Sequence, residues 1–153
     1  IKKVVKNFKG VEGRLQYVKT VKGVKIYNDN NATTPEATVS GLEALGKKPA
    51  RMSKAGGNII LIAGGADKGL DVAPLKKAID KYCKAVVLLP GTGTGKLSIG
   101  IKAKDLKDAV SKSLAQAKKG DIVLFSPAFA SFGMFNNEYD RNDQFVKIIK
   151  KLK

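Results

Sequence analysis

The chain alternates short apolar runs with longer segments in which apolar residues recur every three or four positions. The runs are too short for buried helices and rich in Ile, Val and Leu, which is typical of strands buried on both faces of a parallel sheet. The periodic segments predict amphipathic helices. The pattern predicts buried strands at residues 58–63, 85–89 and 121–126, and helices at 71–82, 105–117 and 143–152.

Two further strands are predicted near the N-terminus, at residues 15–21 and 24–28. The very short connection between them, which contains Gly23, favours antiparallel pairing. A weaker, short strand is predicted within residues 97–103. We expect the N-terminal pair to form an edge of the sheet.

The first helix has a start signal in the segment Thr33-Thr34-Pro35-Glu36. Threonine is a favoured N-cap, proline fits the first helical turn, and an early glutamate suits the positive end of the helix dipole. The helix is predicted to run to about residue 45 and to be closed by a glycine at 46, before a polar, basic loop over residues 47–57. Glycine 120 is predicted to close the helix at 105–117.

Regular alternation of strands and helices, without a break in composition, predicts an α/β domain with right-handed crossovers. A length of 153 residues suits one domain with a substantial core. We therefore expect a single α/β domain with a mostly parallel sheet and an antiparallel edge at the N-terminus.

Composition excludes several functional classes. The chain has no histidine and a single cysteine, Cys83, which excludes Ser-His-Asp and Cys-His catalysis, ordinary zinc sites and a disulfide scaffold. No apolar run approaches the roughly 18 residues of a membrane helix, and the N-terminal residues lack the pattern of a signal peptide. The chain begins with Ile1 rather than methionine, so we expect it to be a fragment of a longer protein.

The formal net charge is +16, from 29 basic and 13 acidic residues. A field of this sign attracts polyanions, so nucleic-acid binding has to be weighed. Base readout favours arginine, however, and the basic residues include just three arginines, with no interleaved aromatic platform. We expect a lysine-coated surface that steers small anions, without a nucleic-acid partner.

Ligands of an open parallel sheet bind beyond the carboxyl ends of its strands. The segments that follow the predicted strands are small, polar or glycine-rich, and two contain a lysine. Because such segments meet at one edge of the sheet, we expect a donor-rich rim that binds carboxylates or phosphates. The four segments occupy residues 28–33, 64–69, 91–96 and 126–131.

The sequence contains partial matches to two nucleotide-binding motifs, and each lacks required residues. The segment that begins at Gly91 resembles a phosphate-binding P-loop, but Pro90 replaces its first glycine and Leu97 replaces the Ser or Thr after the lysine. The dinucleotide fingerprint fails at Ala66 in one glycine-rich loop and at Lys96 in the other. We expect the chain by itself to bind neither NAD nor a nucleoside triphosphate tightly.

Several residues in these segments could have a purely structural role instead of binding a ligand, and the residues alone do not decide between the two. Lys68 fits a solvated lysine as well as an anion ligand, Asp29 fits a turn former, and Ser131 fits a helix N-cap. Cys83 is expected to be a small buried apolar residue. Asp67 is an isolated carboxylate, and no metal site is predicted.

Three motifs occur in a fixed order along the chain. They are the segments 28–33, 64–69 and 126–132, the last followed by Phe135-Asn136-Asn137 and Arg141. Together they resemble the C-terminal domain of the Mur ligases, over nearly the whole chain from about residue 8, and most of all the branch that adds D-glutamate. The resemblance implies a Rossmann-like three-layer fold.

The resemblance also implies a function. Mur ligases make peptidoglycan precursors in the bacterial cytoplasm: ATP phosphorylates a carboxylate of a nucleotide-linked substrate, and the amine of an amino acid attacks the acyl phosphate. By resemblance, Thr33, Lys68 and Ser131 hold the carboxylates of D-glutamate, and Phe132 belongs to the same substrate-binding set. An ammonium and two hydroxyls suit a dianionic amino acid and would orient its amine for attack.

Three further positions are implied to lie near the nucleotide when the domains of the ligase close, namely Arg14, Asn28 and Asp29. An arginine there can stabilise charge on a transferring phosphoryl group. The chain departs from the family pattern at Asn30-Asn31, where Ser-Lys is usual, and at Gly13, where His is usual. The start of the last helix is also altered, at Glu138-Tyr139.

The resemblance implies that residues 1–153 form one amino-acid-binding domain, with the N-terminal and central ATPase domains outside this chain. ATP and Mg²⁺ would then be held mainly by the central domain, and no cofactor or catalytic residue is expected in this domain alone. We expect the isolated chain not to turn over ATP.

Three alternatives remain open at this stage. The first is a related Mur or folylpolyglutamate-type ligase domain that takes another amino acid. The second is a basic module that binds nucleic acid, and the third is an α/β scaffold without activity.

Overall fold

The computed structural model describes residues 10–46 and 57–153. The loop predicted at 47–57 lies outside the described residues except for its last glycine. The strands are β1 (Gln16–Val21), β2 (Val24–Asn28), β3 (Ile59–Ala63), β4 (Cys83–Leu88), β5 (Ile101–Lys102) and β6 (Ile122–Phe125). The helices are α1 (Pro35–Leu45), α2 (Ala73–Tyr82), α3 (Leu106–Gln116) and α4 (Glu138–Lys150), with a short 3-10 turn at Thr94–Leu97.

The strands form one sheet in the order β1-β2-β6-β3-β4-β5. β1 pairs antiparallel with β2, and the other neighbouring strands are parallel. The predicted fold class is therefore confirmed, including the antiparallel edge. The register places Asn28, Phe125 and Ile62 side by side, so the loops after β2, β6 and β3 leave the sheet at the same level.

The apolar runs bury both faces of the sheet. In β3, Ile60 and Ile62 pack with α3 and α4, whereas Ile59 and Leu61 face the side covered by α1 and α2, as the two-residue period of a strand requires. The Phe145 ring of α4 stacks on a β6 phenylalanine with ring centroids 4.4 Å apart, which anchors α4 to the sheet. The result is a three-layer α/β/α domain.

The helix starts follow local capping chemistry. The Thr34 hydroxyl accepts a hydrogen bond from the N–H of Ala37, as the sequence predicts for α1. The last helix was expected at 143–152 but begins five residues earlier, because Asn137 is its N-cap and accepts from the N–H of Asp140. The spacing of apolar residues did not predict this first turn, because its residues are mostly polar. Gly120 does not close α3, which ends at Gln116, and instead shapes the turn before β6 at φ +95°.

Cys83 lies at the junction of α2 and β4 and is half-buried against the core beneath α2, whereas the sequence predicted a buried residue. Burial, with a smaller contribution from Asp80, raises the pKa of this thiol to about 12. Because the thiolate is the reactive form, we expect iodoacetamide near neutral pH to modify the native chain on the order of a thousandfold more slowly than the urea-unfolded chain. Mass spectrometry of quenched time points measures both rates, and a difference of less than about tenfold would contradict this burial.

Candidate functional site

Main-chain hydrogen bonds join the loops that follow β2, β3 and β6. The N–H of Ala128 donates to the carbonyl of Ala32 at 2.9 Å, which links the β6 loop to the β2 loop. On its other side, the β6 loop forms a small antiparallel bridge, in which Ala66 donates to Ala130 at 3.0 Å and accepts from it at 3.2 Å. The β6 loop therefore lies between the other two and sets their spacing.

A cleft of about 320 Å³ opens where these loops meet. Within it, the Lys68 ammonium donates to the Thr33 hydroxyl at 3.2 Å, although the two residues belong to different loops. The buried Ser131 and the exposed Phe132 also line this cleft. The lining residues are Arg14, Asn31, Thr33, Lys68, Ala130, Ser131, Phe132, Glu138 and Tyr139.

Lys68 is available to an anion because its acidic neighbour is already paired. The Asp67 carboxylate forms an ion pair with Lys96 at 2.8 Å, and the hydrogen bond from Lys96 lowers the pKa of Asp67. Within residues 10–46 and 57–153, Lys68 has no carboxylate within ion-pair distance. Its ammonium therefore faces the cleft with the Thr33 hydroxyl as its hydrogen-bond partner.

The glycine-rich segment 91–96 contacts the loop that carries Lys68. It is not among the cleft-lining residues. The N–H of Gly93 donates to the carbonyl of Gly65 at 3.0 Å, and the Thr92 hydroxyl accepts from the N–H of Asp67. Together with the ion pair from Lys96, these contacts fix the backbone just before Lys68. The expected convergence of the four loops is present, with this one in a supporting position.

Asn28 and Asp29 lie beneath the cleft and do not line it. The Asn28 amide donates to the side chain of Asn142 at 2.8 Å, and Asp29 accepts from the Ser126 hydroxyl at 2.8 Å and the N–H of Leu15 at 3.0 Å. Burial raises the pKa of Asp29, while the hydrogen bonds from Ser126 and Leu15 oppose that shift. Of the three residues implied to be near the nucleotide, Arg14 is the exposed one and borders the cleft.

A buried arginine holds the site together. Arg141 is 1% exposed, and its guanidinium donates to the Asn30 side-chain oxygen at 2.8 Å, the Asn30 carbonyl at 2.9 Å and the Phe129 carbonyl at 3.2 Å. Burial lowers the pKa of Arg141 to about 10. These bonds tie α4 to the β2 and β6 loops, which carry Thr33 and Ser131.

Sequence reasoning named Arg141 in a motif without a role and missed the two cleft residues before it, Glu138 and Tyr139. The available signal was an N-cap pattern, since Asn137 is followed three residues later by Asp140. This pattern indicates a helix that begins at 138, which places Arg141 near its start.

Two of the three departures from the family pattern, Gly13 and Asn31, are in contact with each other. The N–H of Asn31 donates to the carbonyl of Gly13 at 2.9 Å, and the Asn31 amide group donates to the carbonyl of Glu12. Gly13 has φ +71°, and a Cβ there would lie 3.0 Å from the Asn31 side-chain oxygen. A side chain at 13 is therefore disfavoured with Asn31 in this position. Asn30, for its part, is the main partner of Arg141.

Residues 10–46 and 57–153 lack two kinds of feature. No helix in these ranges is long and apolar enough to cross a membrane. The same residues contain no group of three or more His, Cys, Asp or Glu side chains placed to hold a metal ion.

A three-layer α/β domain with a cationic, hydroxyl-bearing cleft at its strand ends agrees with the comparison to known families. Residues 13–129 match the family described as Mur ligase, glutamate ligase domain, and the chain belongs to this family. The match includes Thr33 and Lys68 and ends two residues before Ser131. The resemblance drawn from the ordered motifs is confirmed.

Three bacterial proteins similar to this chain share the name UDP-N-acetylmuramoylalanine–D-glutamate ligase. The chain is 42% identical to that of Borreliella afzelii (strain PKo), 40% to that of Pseudomonas fluorescens (strain Pf0-1) and 39% to that of Coxiella burnetii (strain Dugway 5J108-111). Each alignment covers 97% of this chain and 33–34% of the relative. The chain thus spans about a third of the length of these relatives.

Proposed function

We propose that this chain is the D-glutamate-binding domain of an ATP-dependent ligase that adds D-glutamate to UDP-N-acetylmuramoyl-L-alanine in the bacterial cytoplasm. The observation that carries the proposal is the 3.2 Å contact between the Lys68 ammonium and the Thr33 hydroxyl in the same cleft as Ser131. It is supported by the identity of about 40% with D-glutamate ligases over nearly the whole chain. The alternatives with another amino acid, nucleic acid or no activity are not favoured.

The cleft residues suit the two carboxylates of the ligand. The Lys68 ammonium has three N–H donors, one of which is given to Thr33, so others remain for a carboxylate. The Thr33 and Ser131 hydroxyls add donors from the neighbouring loops. Charge-assisted hydrogen bonds of this kind are short and directional, so they would orient the substrate as well as bind it.

A central ATPase domain of the same enzyme is the proposed partner. Two exposed aromatic residues line the cleft, Phe132 at 66% and Tyr139 at 75%, and such side chains are suited to burial when a second domain closes. Arg14 fits a position that faces nucleotide phosphates, since it is exposed at the border of the cleft. ATP supplies the phosphoryl group that activates the acceptor carboxylate, and ATP and its Mg²⁺ would be held mainly by that central domain.

Substitution of Lys68 tests the substrate site directly. We expect Lys68→Met to weaken D-glutamate binding by about tenfold to a hundredfold, because one charge-assisted contact is lost. Amide chemical shifts of the labelled chain report the binding, and in the unchanged protein the shifts should move around residues 33, 68 and 131. The affinity should be weak, since the partner domains contribute nothing to it.

Lys107→Met is the matched control, since Lys107 is an exposed lysine that is not among the cleft-lining residues. It should leave the titration unchanged. No shift change near Lys68 and Ser131 at millimolar D-glutamate would contradict the proposed function. Tighter binding of L-glutamate or another amino acid would favour a related ligase, and salt-dependent binding of duplex DNA alone would favour a nucleic-acid module.

A further inference from the structure

The cleft contains one acidic side chain, Glu138, among the residues that line it. Glu138 is the first residue of α4 and follows the N-cap Asn137. Its carbonyl accepts from the Asn30 side-chain amide at 2.9 Å, and Arg141, three residues later, binds the same asparagine. The backbone of Glu138 is therefore tied to Asn30 of the β2 loop, although its side chain is exposed.

The carboxylate of Glu138 makes no hydrogen bond within the described residues, and its charge acts on the buried guanidinium of Arg141 without an ion-pair contact. In the part of the chain that the structure describes, it forms no ion pair within 4.0 Å. The other charged side chains of the lining are those of Arg14 and Lys68, so the cleft presents two positive groups and one negative group. This is the inverse of the charges on glutamate at neutral pH, which carries two carboxylates and one ammonium.

Electrostatics explain why the acidic group matters. A cleft with two cations attracts any dicarboxylate and repels a cationic group bound at the same time. Such a cleft without an acid would prefer a dicarboxylate that lacks the amine. An acidic side chain in the lining reverses that preference, because it offsets the repulsion and accepts hydrogen bonds from the ammonium.

We propose that Glu138 binds the α-ammonium of the amino-acid substrate and is a specificity-determining residue of this chain. The inference rests on the proposed function and adds a group that selects an amino acid over a plain diacid. It also gives a role to the altered start of α4, where the sequence departs from the family pattern.

Glutarate provides the test, because it has the same two carboxylates as glutamate and no amine. We expect the unchanged chain to bind D-glutamate more tightly than glutarate. Glu138→Gln should weaken D-glutamate binding about five- to tenfold and leave glutarate binding unchanged or stronger. Glu138→Lys should reverse the preference and favour glutarate. Titration calorimetry or amide shifts measure all these affinities.

Glu43→Gln is the control, since it removes the same charge from an exposed position on α1 that is not among the cleft-lining residues. It should leave both ligands unaffected. Equal weakening of both ligands by Glu138→Gln would show a purely structural role, and no change in either would show no role, so each result overturns the inference. If Lys68→Met weakens both ligands but substitutions at 138 leave the ratio of their affinities unchanged, the proposed function stands and the role of Glu138 is rejected. If neither ligand binds the unchanged chain, both proposals fail.

Discussion

Replacement of Gly65 by alanine should destabilise the fold by about 3 kcal/mol or more. Gly65 follows β3 directly and has φ +149°, a backbone conformation that residues with a Cβ rarely adopt. A Cβ built there would overlap the carbonyl oxygen of Ala130, which is main chain and cannot turn aside. That carbonyl is part of the bridge between Ala66 and Ala130, so relief of the overlap must separate the β3 and β6 loops.

Urea denaturation of the two proteins measures the difference in the free energy of unfolding. Gly69→Ala is the matched control, since Gly69 also has positive φ, at +73°, but nothing lies within 4 Å of a Cβ there. We expect the control to cost about 1–2 kcal/mol, which is the backbone effect alone. Equal losses for the two variants would show that the close approach of the loops is unimportant.

The Gly65 variant should also bind D-glutamate more weakly where it remains folded. The bridge sets the distance between the loop that carries Lys68 and the loop that carries Ser131. A small separation of these loops prevents one ligand from contacting both side chains at hydrogen-bond distance.

Loss of the Arg141 guanidinium should have an effect of similar size. Arg141→Met leaves two buried oxygens of Asn30 and the carbonyl of Phe129 without their present donor. An unsatisfied buried polar group costs about 1–3 kcal/mol, and partial relaxation reduces the sum, so we expect a loss of about 3–4 kcal/mol. The free energy of unfolding from urea titration measures this loss.

Two further variants serve as controls for Arg141→Met. Arg141→Lys should recover part of the stability, because an ammonium keeps the charge but cannot reproduce the planar geometry of the guanidinium. Arg14→Met removes an exposed arginine and should change stability by less than about 0.5 kcal/mol. An Arg141→Met protein as stable as the unchanged chain would mean that the three hydrogen bonds do not hold the loops.

Local sequence patterns were sufficient to predict most strands and helices of this protein and its fold class. The apolar run at 58–63 could pack only as a strand covered on both faces, and the Thr34-Pro35 pair encoded the start of α1 through chemistry within one turn. Because parallel strands end at a common edge, the alternation of strands and helices also predicted where the ligand-facing loops converge. The ordered motifs then pointed to Thr33, Lys68 and Ser131, which the structure places in one cleft.

Local sequence patterns did not predict which individual polar residues are buried or which partners they bind. Asn28 and Asp29 resemble exposed turn residues in sequence, but their partners, Asn142 and Ser126, lie 114 and 97 positions away. The same is true of Arg141, whose burial depends on Asn30, 111 positions earlier. An arginine is normally exposed, so no local signal predicts its burial.

The sequence by itself determined the elements, the fold class and the edge of the sheet at which the cleft lies, because these follow from short-range periodicity and from the common direction of parallel strands. Only the tertiary structure decided which polar side chains face the cleft and which support it, and it added Glu138 to the lining. The physical reason is that these choices depend on hydrogen bonds between loops far apart along the chain, which form only when the sheet brings those loops together.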